Sequence, residues 1–126
     1  MELSETGAAA TWAPEACTLP ASEWPGRAAE FDALFAGAVC GIERTGPARL
    51  RLDLQPGLQT AARAAELAAA ETGCCSFFTF TITVAAGRLL MDITVPAPHA
   101  GTLDLLAARA AAAAGIAAGG TGGTAA

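Results

Sequence analysis

Three short stretches of the chain alternate between apolar and polar residues, the pattern of a β-strand with one buried face. The clearest is Arg49–Leu54, in which three leucines alternate with charged residues. In 76–84, phenylalanine, isoleucine and valine alternate with threonines, and 88–95 places four large apolar residues on one side. Because such a strand must cover its apolar face, the pattern constrains the chain to a layered fold.

Three other segments carry helical signals. Residues 28–38 place four apolar side chains at i, i+3, i+4 and i+7, which predicts an amphipathic helix. Residues 58–72 are rich in alanine, and Gly73 is placed to end that helix. Residues 102–114 form the last predicted helix. The prolines before the first helix favour extended or turn conformations and argue against an earlier start: Pro14, Pro20 and Pro25.

The order of these segments predicts the fold class. A fourth strand at 39–44 would pair with 49–54 through a turn at 45–47. A helix is then followed by strand-strand-helix twice, at 39–72 and 77–114. We expect an α+β fold, with an antiparallel four-stranded sheet from two ββα units and the helices on one face. Residues 15–114 would form the single domain, with a disordered N-terminal arm (1–14) and a disordered Gly/Ala/Thr-rich tail (115–126).

Charge and targeting signals limit the classes of function that the chain can have. The 126-residue chain has 12 acidic residues, 7 arginines and no lysine, which gives a net charge of -5. This acidity argues against binding to nucleic acid or to anionic membranes. No basic segment followed by an apolar run marks a secretory signal, and no window is long and apolar enough to span a bilayer. We therefore expect a cytoplasmic protein, in which thiols are kept reduced.

The most unusual motif is a pair of adjacent cysteines, Cys74 and Cys75, at the boundary between the second helix and the third strand. A reduced cysteine is often only a small buried apolar residue. In a reducing compartment, metal binding or redox chemistry is favoured over disulfides. A disulfide between neighbouring residues is strained and disfavoured. If the strand began at Cys74, the two sulfurs would point to opposite faces, so joint chelation requires a bend, which Gly73 would permit.

The position of the pair bears on its chemistry. The C-terminal end of a helix carries partial negative charge, and Glu71 adds to it, so a thiolate is disfavoured there without a nearby arginine. A metal ion can displace the thiol protons itself. The location therefore favours metal capture over thiol-disulfide catalysis.

The predicted metal ligands are Cys17, Cys74 and Cys75. Two thiolates suit linear mercury(II) or copper(I), and three suit trigonal arsenite or mercury(II). Zinc is the weaker alternative, because it would require Cys40 or His99 as a fourth ligand. Cys40 is in strand phase with a neighbouring isoleucine, so the pattern favours a core position for it, and His99 would cap the last helix or face solvent.

Three segments carry a resemblance to known proteins: Cys17-Thr18-Leu19-Pro20, Glu30-Phe31-Asp32-Ala33-Leu34-Phe35 and Glu71-Thr72-Gly73-Cys74-Cys75-Ser76-Phe77-Phe78. Over roughly residues 17 to 110 the chain resembles small bacterial proteins of high-GC organisms, some of which are encoded beside heavy-metal resistance genes. The resemblance implies a part in mercury or arsenic detoxification and supplies no established activity. The chain does not match the motifs of organomercurial lyases, which use two cysteines and an aspartate.

Three hypotheses follow. The first is a protein that binds a soft metal or metalloid ion through cysteine thiolates. The second is a thiol-dependent enzyme, lyase-like or redox, in which Asp92 or Glu71 handles protons. The third is a structural or interaction module whose cysteines are core residues. The expected partner is the ion or another small thiophilic compound, and the alanine-rich helices could also pair two copies of the chain.

Overall fold

Three α-helices and a four-stranded antiparallel sheet make up residues 24–116, the part of the chain that the computed structural model describes. The elements are α1 (Trp24–Ala38), β1 (Val39–Gly46), β2 (Arg49–Leu54), α2 (Leu58–Cys74), β3 (Thr79–Ala85), β4 (Arg88–Thr94), a short 3-10 helix (Ala97–His99) and α3 (Ala100–Ala114). The α+β class predicted from the sequence is confirmed. The predicted N-terminal arm and most of the predicted tail lie outside the described residues.

The strand order is β1-β2-β4-β3, so the second strand of each ββα unit lies at the centre of the sheet. These two central strands pair antiparallel, with Leu50 opposite Ile93 and Leu52 opposite Met91. The tight turn between β3 and β4 has positive φ at Ala86 and Gly87, as a two-residue hairpin turn requires. The two predicted hairpins and their union in one sheet are thus confirmed.

The alternating patterns place the core on one face of the sheet. The buried residues contributed by the two central strands are Leu50, Leu52, Leu54, Leu89, Met91 and Ile93. The opposite face carries ion pairs between strands: Arg51 Nε lies 2.8 Å from Asp92 Oδ1, and Arg88 Nη2 lies 3.0 Å from Asp53 Oδ2. Because charged groups need solvent or a partner, this polar face stays outside the core and the helices pack on the apolar face.

The helix α1 packs on both α2 and α3 and buries Phe31 and Phe35 against the sheet. It begins at Trp24, four residues earlier than the sequence predicts. Pro25 does not prevent this, because a proline in the first turn lacks an N–H that has no partner within the helix anyway. The earlier start places Arg27 inside the helix.

The strand β1 corrects the predicted position of Cys40. Val39 pairs with Leu54 and Gly41 with Asp53, so Cys40 is an extra residue in a β-bulge. The bulge shifts the alternation, and Val39 and Ile42 are both buried while Cys40 is exposed. The predicted core position of Cys40 is therefore wrong.

The boundary between α2 and β3 also differs from the prediction. Gly73 does not end α2, since the N–H of Cys75 donates to the carbonyl of Glu71 at 2.7 Å and the helical hydrogen bonds continue to Cys74. The strand β3 begins at Thr79, three residues later than predicted. Cys74 is therefore a helical residue, and strand phase does not decide where its sulfur points.

Within residues 24–116, no helix is both long enough and apolar enough to cross a membrane.

Candidate thiol site

Cys74 and Cys75 lie where the backbone leaves the helix. Cys74 is the last residue of α2, and Cys75 has the extended dihedral angles φ -122° and ψ 90°. The carbonyl of Cys75 then accepts a hydrogen bond from the N–H of Phe78 at 3.3 Å, which closes a turn before β3. The bend expected at Gly73 occurs at Cys75 itself.

The two cysteines are in different chemical states. Cys75 is fully buried and disulfide-bonded, whereas Cys74 is half-buried and remains a thiol, as does Cys40. The strained disulfide between adjacent residues, which the sequence disfavours, is therefore not formed. A disulfide at Cys75 nevertheless departs from the expectation that this chain does not use disulfides. It joins the Cys75 sulfur covalently to a second sulfur.

Cys74 faces a cationic side chain from α1. Glu71 and Cys74 are three residues apart in α2 and so lie on the same side of the helix. Arg27 Nη1 donates to Glu71 Oε1 at 2.9 Å, and Nη1 and Nη2 both lie 3.8 Å from Cys74 Sγ. One guanidinium thus contacts the carboxylate and the thiol together.

The ion pair between Arg27 and Glu71 is buried. The Glu71 side chain is 2% exposed and the Arg27 side chain 17% exposed. Burial on its own would lower the pKa of Arg27, but the hydrogen bonds and charges of Glu71 and Cys74 raise it above its ordinary value. The guanidinium therefore stays charged, and it neutralises the carboxylate that would otherwise repel a thiolate.

Arg27 was not identified as a site residue from the sequence, because it lies far from Cys74 along the chain. The sequence of α2 nevertheless indicates that a cationic partner is needed. Glu71 continues the apolar stripe formed by Ala64, Leu67 and Ala68. A carboxylate on the buried side of a helix requires a cationic partner from another element.

An aromatic pair lies on the other side of the turn. The rings of Phe77 and His99 stack with centroids 4.2 Å apart and an interplanar angle of 11°. Phe77 also contacts Phe78, whose side chain is buried in the core. His99 makes no capping hydrogen bond to α3. His99 thus occupies the N-cap position of α3, as expected, but without a side-chain capping bond. Its ring lies half-buried against the residue two positions after Cys75 instead of facing solvent.

The thiol of Cys40 has a different environment. It donates to the Asp53 carbonyl at 3.3 Å, at the edge of the sheet. Although the residue is exposed, local shielding of the sulfur and the Asp53 carboxylate raise the pKa of this thiol. Cys40 contacts neither Arg27 nor Glu71 through a hydrogen bond or ion pair among residues 24–116.

Metal-binding geometry is not complete within the described residues. Among residues 24–116, no group of three or more His, Cys, Asp or Glu side chains is arranged to hold a metal ion. Cys17 lies outside those residues, so the ligand set of Cys17, Cys74 and Cys75 stays a prediction. Asp92, a proton-handling candidate, is bonded to Arg51 on the polar face of the sheet, away from the buried side that holds Cys75.

No protein-family model, curated protein or solved structure matches this chain.

Proposed function

We propose that the protein captures a soft metal or metalloid ion, namely mercury(II), arsenite or copper(I), through the thiolates of Cys17, Cys74 and Cys75, in heavy-metal resistance or trafficking. The observation that carries the proposal is the bonded state of Cys75, whose buried sulfur meets a second sulfur. Two sulfurs that can form a bond are also, after reduction, close enough to share one ion.

The cysteine inventory supports a site that includes Cys75. The chain has four cysteines, and Cys40 and Cys74 are thiols. Cys17 lies outside the described residues, and its place among the ligands rests on the sequence prediction. Two equivalents of a cellular thiol would reduce the disulfide at Cys75 by exchange, ending as a disulfide of their own and leaving two thiols on the protein. Binding of mercury(II) would then form two sulfur–metal bonds and release the two thiol protons.

Arg27 gives Cys74 a part in the same site. Each thiolate ligand brings negative charge, and mercury(II) bound by three thiolates carries a net charge of -1. A guanidinium 3.8 Å from Cys74 Sγ offsets such charge in partly desolvated surroundings. Glu71 alone would repel the negative charge of the bound ion and its thiolates, but Glu71 is already paired with Arg27.

The test uses the full chain, reduced and freed of reductant, with mercury(II) and arsenite as separate probes. We expect one ion per chain and a large loss of affinity in C17S, C75S and the double variant C74S/C75S. The matched control is C40S, which removes a thiol that Asp53 contacts and should bind like the parent. Unchanged binding by the double variant would place the ion elsewhere and overturn the proposal.

A second candidate function rests on the thiol of Cys74 next to the disulfide-bonded Cys75. A thiolate of Cys74 could attack a disulfide of a substrate, or of the protein itself, and the displaced sulfur would leave as a thiolate. Catalytic reduction of a small disulfide by excess thiol, lost in C74S and kept in C40S, would support this function. Stoichiometric reaction without turnover would count against it.

A further inference from the structure

The two edges of the sheet differ in how well they resist pairing with another strand. The edge strand β1 has register irregularities near both ends and carries Glu43 and Arg44, features that discourage pairing. The other edge strand, β3, pairs with β4 in an unbroken register. Its seven residues, Thr79–Ala85, include no charge, proline or glycine. An edge of this kind is a template for strand addition.

One side chain of β3 is left uncovered. Phe80, Ile82 and Val84 point to the side on which the helices pack, as shown by their pairing with buried residues of β4. Phe80 and Ile82 are half-buried, but Val84 is 71% exposed. Among the described residues, the helical layer does not extend over this end of the strand, so a large apolar side chain meets solvent at an open edge.

The sequence of β3 indicates what fits there. Read outward from Ile82 in both directions, the strand is chemically palindromic: threonine on each side, then Phe80 or Val84. An antiparallel pairing of two copies centred on Ile82 places Phe80 of each copy opposite Val84 of the other. The threonines at 81 and 83 face each other on the polar side, and no charges oppose each other.

We propose that two copies of the protein associate through β3, antiparallel and two-fold about Ile82, to form a continuous eight-stranded sheet. The pairing covers Val84 with an aromatic ring and satisfies the backbone groups of the outer edge of β3. We choose a second copy of the chain as the partner because the residues of β3 match those of another β3 placed antiparallel to it. The proposal does not rest on the proposed ion binding, because its test measures the mass of the assembled chains.

The test is the native mass of the full reduced chain over a dilution series, with two variants at the same positions. In T81K/T83K, each new lysine faces a lysine of the other copy. We expect the dissociation constant of the dimer to rise at least about tenfold, which corresponds to ~1.4 kcal/mol. In T81K/T83E, each lysine faces a glutamate, and we expect dimerisation equal to or stronger than that of the parent.

These variants separate the proposed register from a general effect of added charge. Both replace threonines on the open face of the sheet, where no core contact is lost, and circular dichroism and thermal unfolding would verify the fold of each. A parent chain that is monomeric at every concentration would overturn the proposal. So would a dimer that both variants weaken equally, or that neither variant changes.

Discussion

The protein passes from helix to strand at two junctions that contain cysteine, and the two differ in almost every respect. At the first, α1 leads into β1 without a loop, and a bulge exposes Cys40 beside Asp53. At the second, a turn separates α2 from β3, Cys74 lies against Arg27, and Cys75 is buried and disulfide-bonded. The first thiol is exposed next to an acidic side chain, and the second is half-buried next to a basic one.

The comparison shows that exposure alone is a poor guide to the function of a cysteine. The exposed Cys40 has a raised pKa, so its neutral thiol persists to higher pH, and within residues 24–116 its thiol donates to a backbone carbonyl. The less exposed second junction has a charged residue from another helix, a buried sulfur and an aromatic stack at one turn.

The two junctions should differ most in what their cysteines contribute to stability. We expect C75A to lose about 2–5 kcal/mol of unfolding free energy in the oxidised protein, because it removes a disulfide and buried core atoms. C40A should change it by less than about 0.5 kcal/mol, since Cys40 is exposed. Urea unfolding with and without reductant measures both. Equal losses would contradict the distinction, and reductant should narrow the gap between parent and C75A.

The buried ion pair of the second junction should matter more than a half-exposed one. R27M takes the guanidinium away from a carboxylate whose side chain is only 2% exposed, and we expect a loss of about 3–5 kcal/mol. The double variant R27M/E71L should recover much of this, because no buried charge remains. The matched control R109M breaks a pair with Asp32 in which both side chains are at least 25% exposed, and should cost about 1 kcal/mol or less.

The measurement for these variants is chemical denaturation at constant pH and salt. A loss in R27M no larger than that in R109M would show that the Glu71 environment is well solvated. The contrast between the two junctions would then rest on the disulfide alone.

The smallest expected effect concerns how the alkylation rate of Cys40 depends on pH. Its raised pKa means that the reactive thiolate forms only above the ordinary pH range of a cysteine. We expect alkylation of Cys40 at neutral pH to be severalfold slower than that of a small thiol, and to increase as pH rises. D53N removes one of the causes, the carboxylate charge, and should move the inflection to lower pH. Mass spectrometry of alkylated peptides gives the rate, and an inflection at or below that of the small thiol would contradict the prediction.

Most of the fold could be predicted because its signals are local. The alternation in Arg49–Leu54 and 88–95 fixes which side of each strand is buried, whatever the strand pairs with. The apolar stripe of 28–38 does the same for α1. Errors arose at junctions, where a hydrogen bond to the next turn or an extra residue in a strand decides the outcome. The start of α1, the end of α2 and the bulge at Cys40 are examples.

The sequence by itself determined the apolar faces, the order of the elements and the presence of two adjacent cysteines at a helix end. Only the tertiary structure decided the surroundings of those cysteines. Arg27 and Cys74 are 47 residues apart in the chain, and no local pattern specifies their contact. They meet because α1 and α2 pack side by side over one sheet, and a buried carboxylate, Glu71, holds the guanidinium where it also reaches the sulfur.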